Sequence, residues 1–403
     1  MINKIKQYDW KKYNYSLLGV VIILCIISAF TVKLAGGSDS GASYMKSQLI
    51  GMVLGLFIVA VLSILDYHFI CRFAPIYYLG GILLTAATHT PIGTTNGTDA
   101  SRWISLAGIT FQPTELMKII LILTLSVLFS KLKNRLDRLS TLLLVGAVTG
   151  VPVLLILTQP DLSSSLVAIF IMVIMIFVGN VSYKLLSPIF LLGIPLSVVV
   201  FWYIQQPNNF LLRGYQYNRI QAWLHPETDV KEVFTYQQNR SVRAIAAGKL
   251  SGKFLQDGGT QPRAYEAVGV RESDFIWSVI GEEFGFLGCC LILILLMILI
   301  FKCFSVAKRA QDYLGKMIAV GVASMYMFQV FANICVATLL FPNTGLPLPF
   351  LSNGLSSMLS SMMGIGLIMN ISIQPAKSSK RGFSMRNVYG NNPTRDIDMD
   401  LDI

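Results

Sequence analysis

The sequence predicts an all-α polytopic membrane protein of about ten transmembrane helices, with both termini cytoplasmic and one long extracellular loop. Three observations predict it. The 403 residues are 54% hydrophobic, with a mean hydropathy of +0.62. Only 13% are charged, about half the ~25% that clothes a soluble domain. Apolar runs long enough to cross a hydrocarbon layer of ~30 Å recur along the chain.

Residues 1–15 are polar and basic, with Lys4, Lys6, Lys11 and Lys12. The run from about Ser16 to Val32 is too long for a signal-peptide core and lacks an A-x-A site, so it reads as a retained first span. Further runs lie near 48–65, 74–88, 114–130, 140–158, 163–179, 185–204, 275–301, 317–341 and 354–372. The 74–88 run is short, and the turn at 158–163 is tight. With the N-terminus inside, the short inner segments carry 14 Lys and Arg, from Lys4 to Lys316, against three (Lys33, Lys46, Arg102) outside. That asymmetry sets the orientation.

Two outer segments are long, 89–112 and 205–274. The second holds nine Lys/Arg and seven Asp/Glu; a loop of that length without its own structure is uncommon, which predicts interfacial helices carrying function. Residues 1–372 thus read as one transmembrane domain. The tail, 373–403, is basic and then ends in Asp396, Asp398, Asp400 and Asp402 alternating with apolar residues. It reads as a disordered cytoplasmic segment.

The net charge of +11 raises nucleic-acid binding. The excess sits in short loops beside apolar spans, without a basic groove interleaved with aromatics, so that class is excluded. Six cysteines (Cys25, Cys71, Cys289, Cys290, Cys303, Cys335) lie in or beside apolar runs with no CxxC pair, and three histidines (His68, His89, His225) are scattered. Neither a disulfide framework nor a zinc site is readable.

Ionisable groups in spans are expensive and mark candidate function. Glu115 and Lys118, at i and i+3 on one helix face, can pair as a packing lock or serve a substrate. Asp161, in Gln159-Pro160-Asp161, suits a helix N-cap before Leu-Ser-Ser-Ser, or a site. Asp274 precedes Phe275-Ile276-Trp277 at the outer edge of a span, with Glu282 and Glu283 about two turns deeper. It is a cap, an interfacial acid, or a general base whose pKa is raised by desolvation. The run Asn343–Gly354, with two prolines and two glycines, breaks any helix at the mouth of the last span. Such backbone lines a cavity or makes a rigid turn.

Five stretches, in order, resemble the SEDS family (shape, elongation, division and sporulation) of bacterial cell-wall glycosyltransferases over nearly the whole chain. They are Arg102-Trp103-Ile104 through Gly108 to Phe111-Gln112-Pro113-Thr114-Glu115-Leu116-Met117-Lys118; Gln159-Pro160-Asp161-Leu162; Tyr236-Gln237; Glu272-Ser273-Asp274-Phe275-Ile276 with Gly281-Glu282-Glu283-Phe284-Gly285-Phe286-Leu287-Gly288; and Gly345-Leu346-Pro347-Leu348-Pro349-Phe350. Departures are Ser163 where the family has Gly, Glu272-Ser273 for His-Thr, and Ser352-Asn353-Gly354-Leu355-Ser356 for Ser-Tyr-Gly-Gly-Ser.

The resemblance implies a multi-pass protein of the bacterial cytoplasmic membrane. It would polymerise lipid II, the undecaprenyl-pyrophosphate-linked precursor, at the outer face beside a class B penicillin-binding protein transpeptidase and membrane lipid. Asp274 matches the family's presumed catalytic aspartate. Arg102 and Lys118, with loop arginines or a divalent cation (Mg or Mn), would stabilise the leaving pyrophosphate. Glu115 would orient Lys118, and Trp103, Asp161 and Glu283 complete the expected substrate-binding set. The short basic N-terminus leans toward a RodA-like elongation member. A transporter flipping lipid-linked precursors is the alternative from another class, since buried charges and broken helices suit it too.

Overall fold

The computed structural model describes residues 8–94, 102–106, 109–159, 161–206, 214–225, 235–257 and 261–375. The tail beyond Pro375 lies outside the described residues. Seven helices among them are long and apolar enough to cross a membrane: α1 (Tyr15–Ile64), α4 (Pro113–Lys131), α5 (Leu139–Thr158), α7 (Tyr183–Ile204), α11 (Ile276–Arg309), α12 (Tyr313–Ala337) and α13 (Leu355–Ile373). Shorter apolar helices are α3 (Ala74–Ala86) and α6 (Leu162–Val178), and α2 (Tyr67–Arg72) is a single polar-ended turn and a half. α1 is interrupted at Gly37, where φ is 60°.

The helix starts follow local chemistry. Asn14 accepts the Leu17 N–H at 3.1 Å, Asp312 accepts that of Gly315 at 2.7 Å, and Pro113 opens α4 where its missing N–H costs nothing. α4, α12 and α13 form the enclosed centre, and α1 wraps α13. α7 turns Leu191, Leu192, Leu196 and Trp202 outward, as a helix bathed in lipid does. At the lysine-rich end, Asn370 of α13 accepts the Tyr67 N–H (3.0 Å) and donates to Ser63 O (2.7 Å). The Tyr67 hydroxyl donates to Asp312 (2.7 Å), whose other oxygen meets His68 Nε2 at 2.6 Å. Burial works against the ionised Asp312, but His68, Tyr67 and the Gly315 N–H outweigh it and bring its pKa down to about 2.

The 89–112 segment adds a feature that an all-helical expectation lacks, a three-stranded antiparallel sheet. Gly93–Thr94 (β1) pairs with Trp103–Leu106 (β2), which pairs with Ile109–Phe111 (β3) in the register Ile104 to Phe111. Trp-Ile-Ser-Leu and Ile-Thr-Phe are aromatic and β-branched, which favours this pleated conformation over the helix of the spans. The 205–274 segment is helical as expected, with α8 (Gly214–Leu224), α9 (Tyr236–Ala247) and the short α10 (Phe254–Asp257).

That segment enters the bundle where α11 breaks. Gly285 adopts φ of 65°, freeing the N–H groups of Phe286 and Leu287, which donate to the carbonyls of Lys249 (2.9 Å) and Leu250 (3.1 Å). Non-helical backbone is tolerated at such depth because its polar groups are satisfied by protein. Just before the break, Glu282 accepts the N–H groups of Ala264 and Tyr265, both at 2.8 Å, and the Lys253 ammonium. Glu283 accepts from Arg263 Nε (2.8 Å) and the Tyr265 hydroxyl (2.7 Å). The two carboxylates staple the end of the loop onto α11.

Candidate active site

Asp274 stands one residue before the cap of α11, at the mouth of the bundle. Four segments converge on it. Ser273 Oγ donates to Asp274 Oδ1 at 3.2 Å. Asn333, buried on α12, donates through Nδ2 both to the Asp274 carbonyl (2.8 Å) and to that of Leu346 (2.7 Å). The broken run 343–354 closes over the aspartate. Gly345 takes φ of 73°, and a methyl there would come within 3.2 Å of Asp274 Oδ2. Glycine is required twice over, by the left-handed backbone and by the closeness of the carboxylate. Ser352 Oγ donates to Ser273 O (2.5 Å) and accepts the Leu348 N–H (2.8 Å), while the Asn353 N–H reaches Glu272 O at 2.8 Å.

Arg102 and Arg219 supply positive charge to this carboxylate. Arg102, leading into β2, is steadied by donating through Nε to Gln159 O at 3.1 Å. Arg219, on α8, donates to Asn343 O at 3.0 Å. Burial raises the Asp274 pKa to about 6; the Ser273 hydroxyl and the two arginines oppose that rise without cancelling it, and Glu272 adds to it. A carboxylate that remains partly accessible yet titrates near neutrality is suited to taking a proton at physiological pH.

The other expected residues sit elsewhere or are engaged. Trp103 lies in β2 beside Arg102, its backbone paired with Thr94. Lys118 donates to Glu115 at 2.7 Å, both side chains almost completely enclosed, and Ser360 of α13 donates to the second Glu115 oxygen at 3.0 Å. The Lys118 ammonium is thus turned into the bundle. Asp161 caps α6, accepting the Ser164 N–H (3.1 Å) and hydroxyl (2.8 Å). Glu283 is held by Arg263 and Tyr265. Ser163 directs its hydroxyl to the Thr344 carbonyl, so the departure from glycine ties α6 to the run over Asp274. Among the described residues no three His, Cys, Asp or Glu side chains gather as a metal-holding group.

Arg219 is expected only as one of the loop arginines, and Asn333 is not expected at all. An amide inside an apolar run is a signal that could have singled out Asn333. Arg219 is one of nine basic residues in its loop, with nothing local to distinguish it.

The profile of the cell cycle protein family of FtsW, RodA and SpoVE matches residues 11–377. The chain is similar to the probable peptidoglycan glycosyltransferase FtsW of Trichlorobacter lovleyi, 33% identical over 382 residues that cover 91% of this chain and 95% of that one. It is 30% identical to the peptidoglycan glycosyltransferase MrdB of Escherichia coli over 378 residues, covering 92% and 96%. Among solved structures, a chain of a peptidoglycan synthase complex that coordinates polymerization and crosslinking superposes with a TM-score of 0.74 at 27% identity, covering 90% of this chain and 98% of that one. The rod shape determining protein RodA of Thermus thermophilus superposes with a TM-score of 0.65 at 25% identity, covering 91% and 99%. This chain, matched by the family profile over residues 11–377 and by a relative 33% identical over 91% of its length, belongs to the FtsW/RodA/SpoVE family.

Proposed function

We propose that Asp274 is the general base of a peptidoglycan glycosyltransferase reaction that polymerises lipid II into glycan strands. The chain is a multi-pass enzyme of the cytoplasmic membrane acting in cell-wall synthesis. The observation that carries the assignment of the base is the convergence of Ser273, Arg102, Arg219 and Gly345 on one partly accessible carboxylate.

The acceptor sugar hydroxyl gives its proton to Asp274 as its oxygen attacks the anomeric carbon of the donor, and the lipid pyrophosphate leaves with the bonding pair. Inversion at that carbon needs one base and no protein nucleophile. Arg102 and Arg219, beside the carboxylate, are the cations for the departing pyrophosphate. Lys118 is read as the packing lock with Glu115, Asp161 as a cap and Glu283 as a loop anchor; Trp103 stays a candidate for substrate contact through its place next to Arg102. Counting α1 as two spans across Gly37, and adding α3 and α6 to the other six long helices, makes ten crossings. With ten crossings and the charge bias of the short loops, both termini are inside and Asp274 is at the outer face, where lipid-anchored donor and acceptor can both reach it.

The likeness to a chain of a synthase complex supports a partner of the same pathway, and a class B penicillin-binding protein is the partner proposed. Identities of 33% to an FtsW and 30% to MrdB assign the family and not the branch, which pulldown of the partner decides. The central test is purified protein with labelled lipid II, alone and with the transpeptidase. Polymer should form and disappear in folded Asp274→Asn; polymer at full rate in that variant would remove Asp274 as the base. Lipid II crossing liposome bilayers without polymer would favour the transporter instead.

A further inference from the structure

At the opposite end of the bundle from Asp274, the ends of α4, α11 and α12 enclose a cavity of about 680 Å³. Lys133, Lys308 and Lys316 line it, with Asp312 and Tyr313. Asp312, held by Tyr67, His68 and the Gly315 N–H, sets one carboxylate against three ammonium groups. Lys133 lies 5.2 Å from the centroid of the Tyr313 ring, and among the described residues none of the three lysines makes an ion pair. The charge bias of membrane topology explains lysines at this end. It does not explain three of them facing one cavity, where mutual repulsion favours an anionic occupant.

One observation favours an acidic peptide over a lipid headgroup: the chain leaves the bundle beside the cavity. Asn370, in the last turn of α13, holds the Tyr67 N–H, and the Tyr67 hydroxyl donates to Asp312 in the cavity wall. Past Pro375 come 20 residues and then Asp396-Ile397-Asp398-Met399-Asp400-Leu401-Asp402, four carboxylates within seven residues. Twenty residues reach up to ~70 Å, and a tether of that kind makes the local concentration about millimolar. We propose that the Lys133–Lys308–Lys316 cavity binds the acidic segment Asp396–Asp402 of the same chain.

Carbodiimide joins a carboxylate to an amine only when they touch, so it reads this contact directly. Full-length protein is treated in detergent at low salt, as a mixture of ¹⁴N- and ¹⁵N-labelled chains, and crosslinked peptides are identified by mass spectrometry. The expected result is isotopically pure peptides joining Asp396–Asp402 to Lys133, Lys308 or Lys316. They should be lost at high salt, where screening shortens to ~3 Å at 1 M, and lost when the four aspartates are changed to asparagine. That variant changes none of the described residues of the bundle. Lys308→Glu with Lys316→Glu should abolish the same peptides, and restoring opposite charge by Asp398→Lys with Asp400→Lys should return them with sides exchanged. Crosslinks confined to the tail's own Lys377 and Lys380, or of mixed isotope only, would overturn the proposal. So would native mass spectrometry showing an anionic lipid lost in the lysine variant while no tail crosslink forms. None of these readouts depends on polymerase activity.

Discussion

If Asp274 takes the proton from the acceptor, the pH dependence of polymerisation follows from its surroundings. Burial raises this carboxyl from its ordinary value of 3.8 to about 6, which corresponds to about 3 kcal/mol of net disfavour for the charged form. The base must be ionised, so kcat/KM should rise with pH through about 6 and level off above it, falling roughly tenfold per pH unit well below. Arg102 and Arg219 oppose the effect of burial, so removing either charge should move the limb upward. An opposite charge nearby commonly accounts for about one pH unit. In Arg219→Gln the limb should then centre near pH ~7, adding about a threefold loss of rate at pH ~6.5 to a pH-independent loss from the missing pyrophosphate cation. The assay is initial-rate polymerisation of labelled lipid II across pH, with circular dichroism confirming that each variant stays folded. A limb at the ordinary carboxylate pH of about 4, or one that moves down when Arg219 is neutralised, would refute the assignment.

Four further perturbations test the frame around this carboxylate. Gly345→Ala places a methyl 3.2 Å from Asp274 Oδ2 on a backbone with φ of 73°; strain of about 1–2 kcal/mol is expected, with polymerisation falling far more than Tm. Asn333→Leu removes the donor shared by Asp274 and Leu346 and strands two carbonyls, for a loss of about 2–4 kcal/mol in stability by thermal shift; the gentler Asn333→Ser should keep part of both activity and Tm. Arg263→Ala leaves Glu283 buried without its cation, costing about 3–5 kcal/mol, and limited proteolysis should then cut within 250–268 in the variant and not in the parent. Lys118→Met alone should cost a similar ~3–5 kcal/mol, while Glu115→Leu with Lys118→Met should recover most of it; a double variant that is stable yet inactive would return the pair to a substrate role.

Much of this protein was legible in its sequence because the relevant signals are local. A hydrocarbon layer demands uninterrupted apolar runs, and each long helix falls on one of them. Asp161 as the cap of α6 follows from Asp standing before Leu-Ser-Ser-Ser, and the Glu115–Lys118 pair from spacing on one helix face. Position at the edge of a span made Asp274 one candidate among several, and the resemblance to the SEDS motifs chose it. The sheet of residues 93–111 was local too, in the alternation of Trp103–Leu106, but the apolar character of the whole chain masks so short a pattern.

What only the tertiary structure decided are the partners. Asn333 meets Asp274 across 59 positions of sequence, Arg219 meets Asn343 across 124, and Ser163 meets Thr344 across 181. No periodicity encodes such distances, because they depend on which helix faces pack and on where the loop enters the break at Gly285. The direction in which a charge points is decided the same way. Lys118 and Glu283 are as noticeable in the sequence as Asp274, yet packing gives each a buried counter-charge, since an enclosed ion is tolerated only when paired. Asp274 alone of the three is left facing the mouth of the bundle, under a glycine that makes room for its carboxylate.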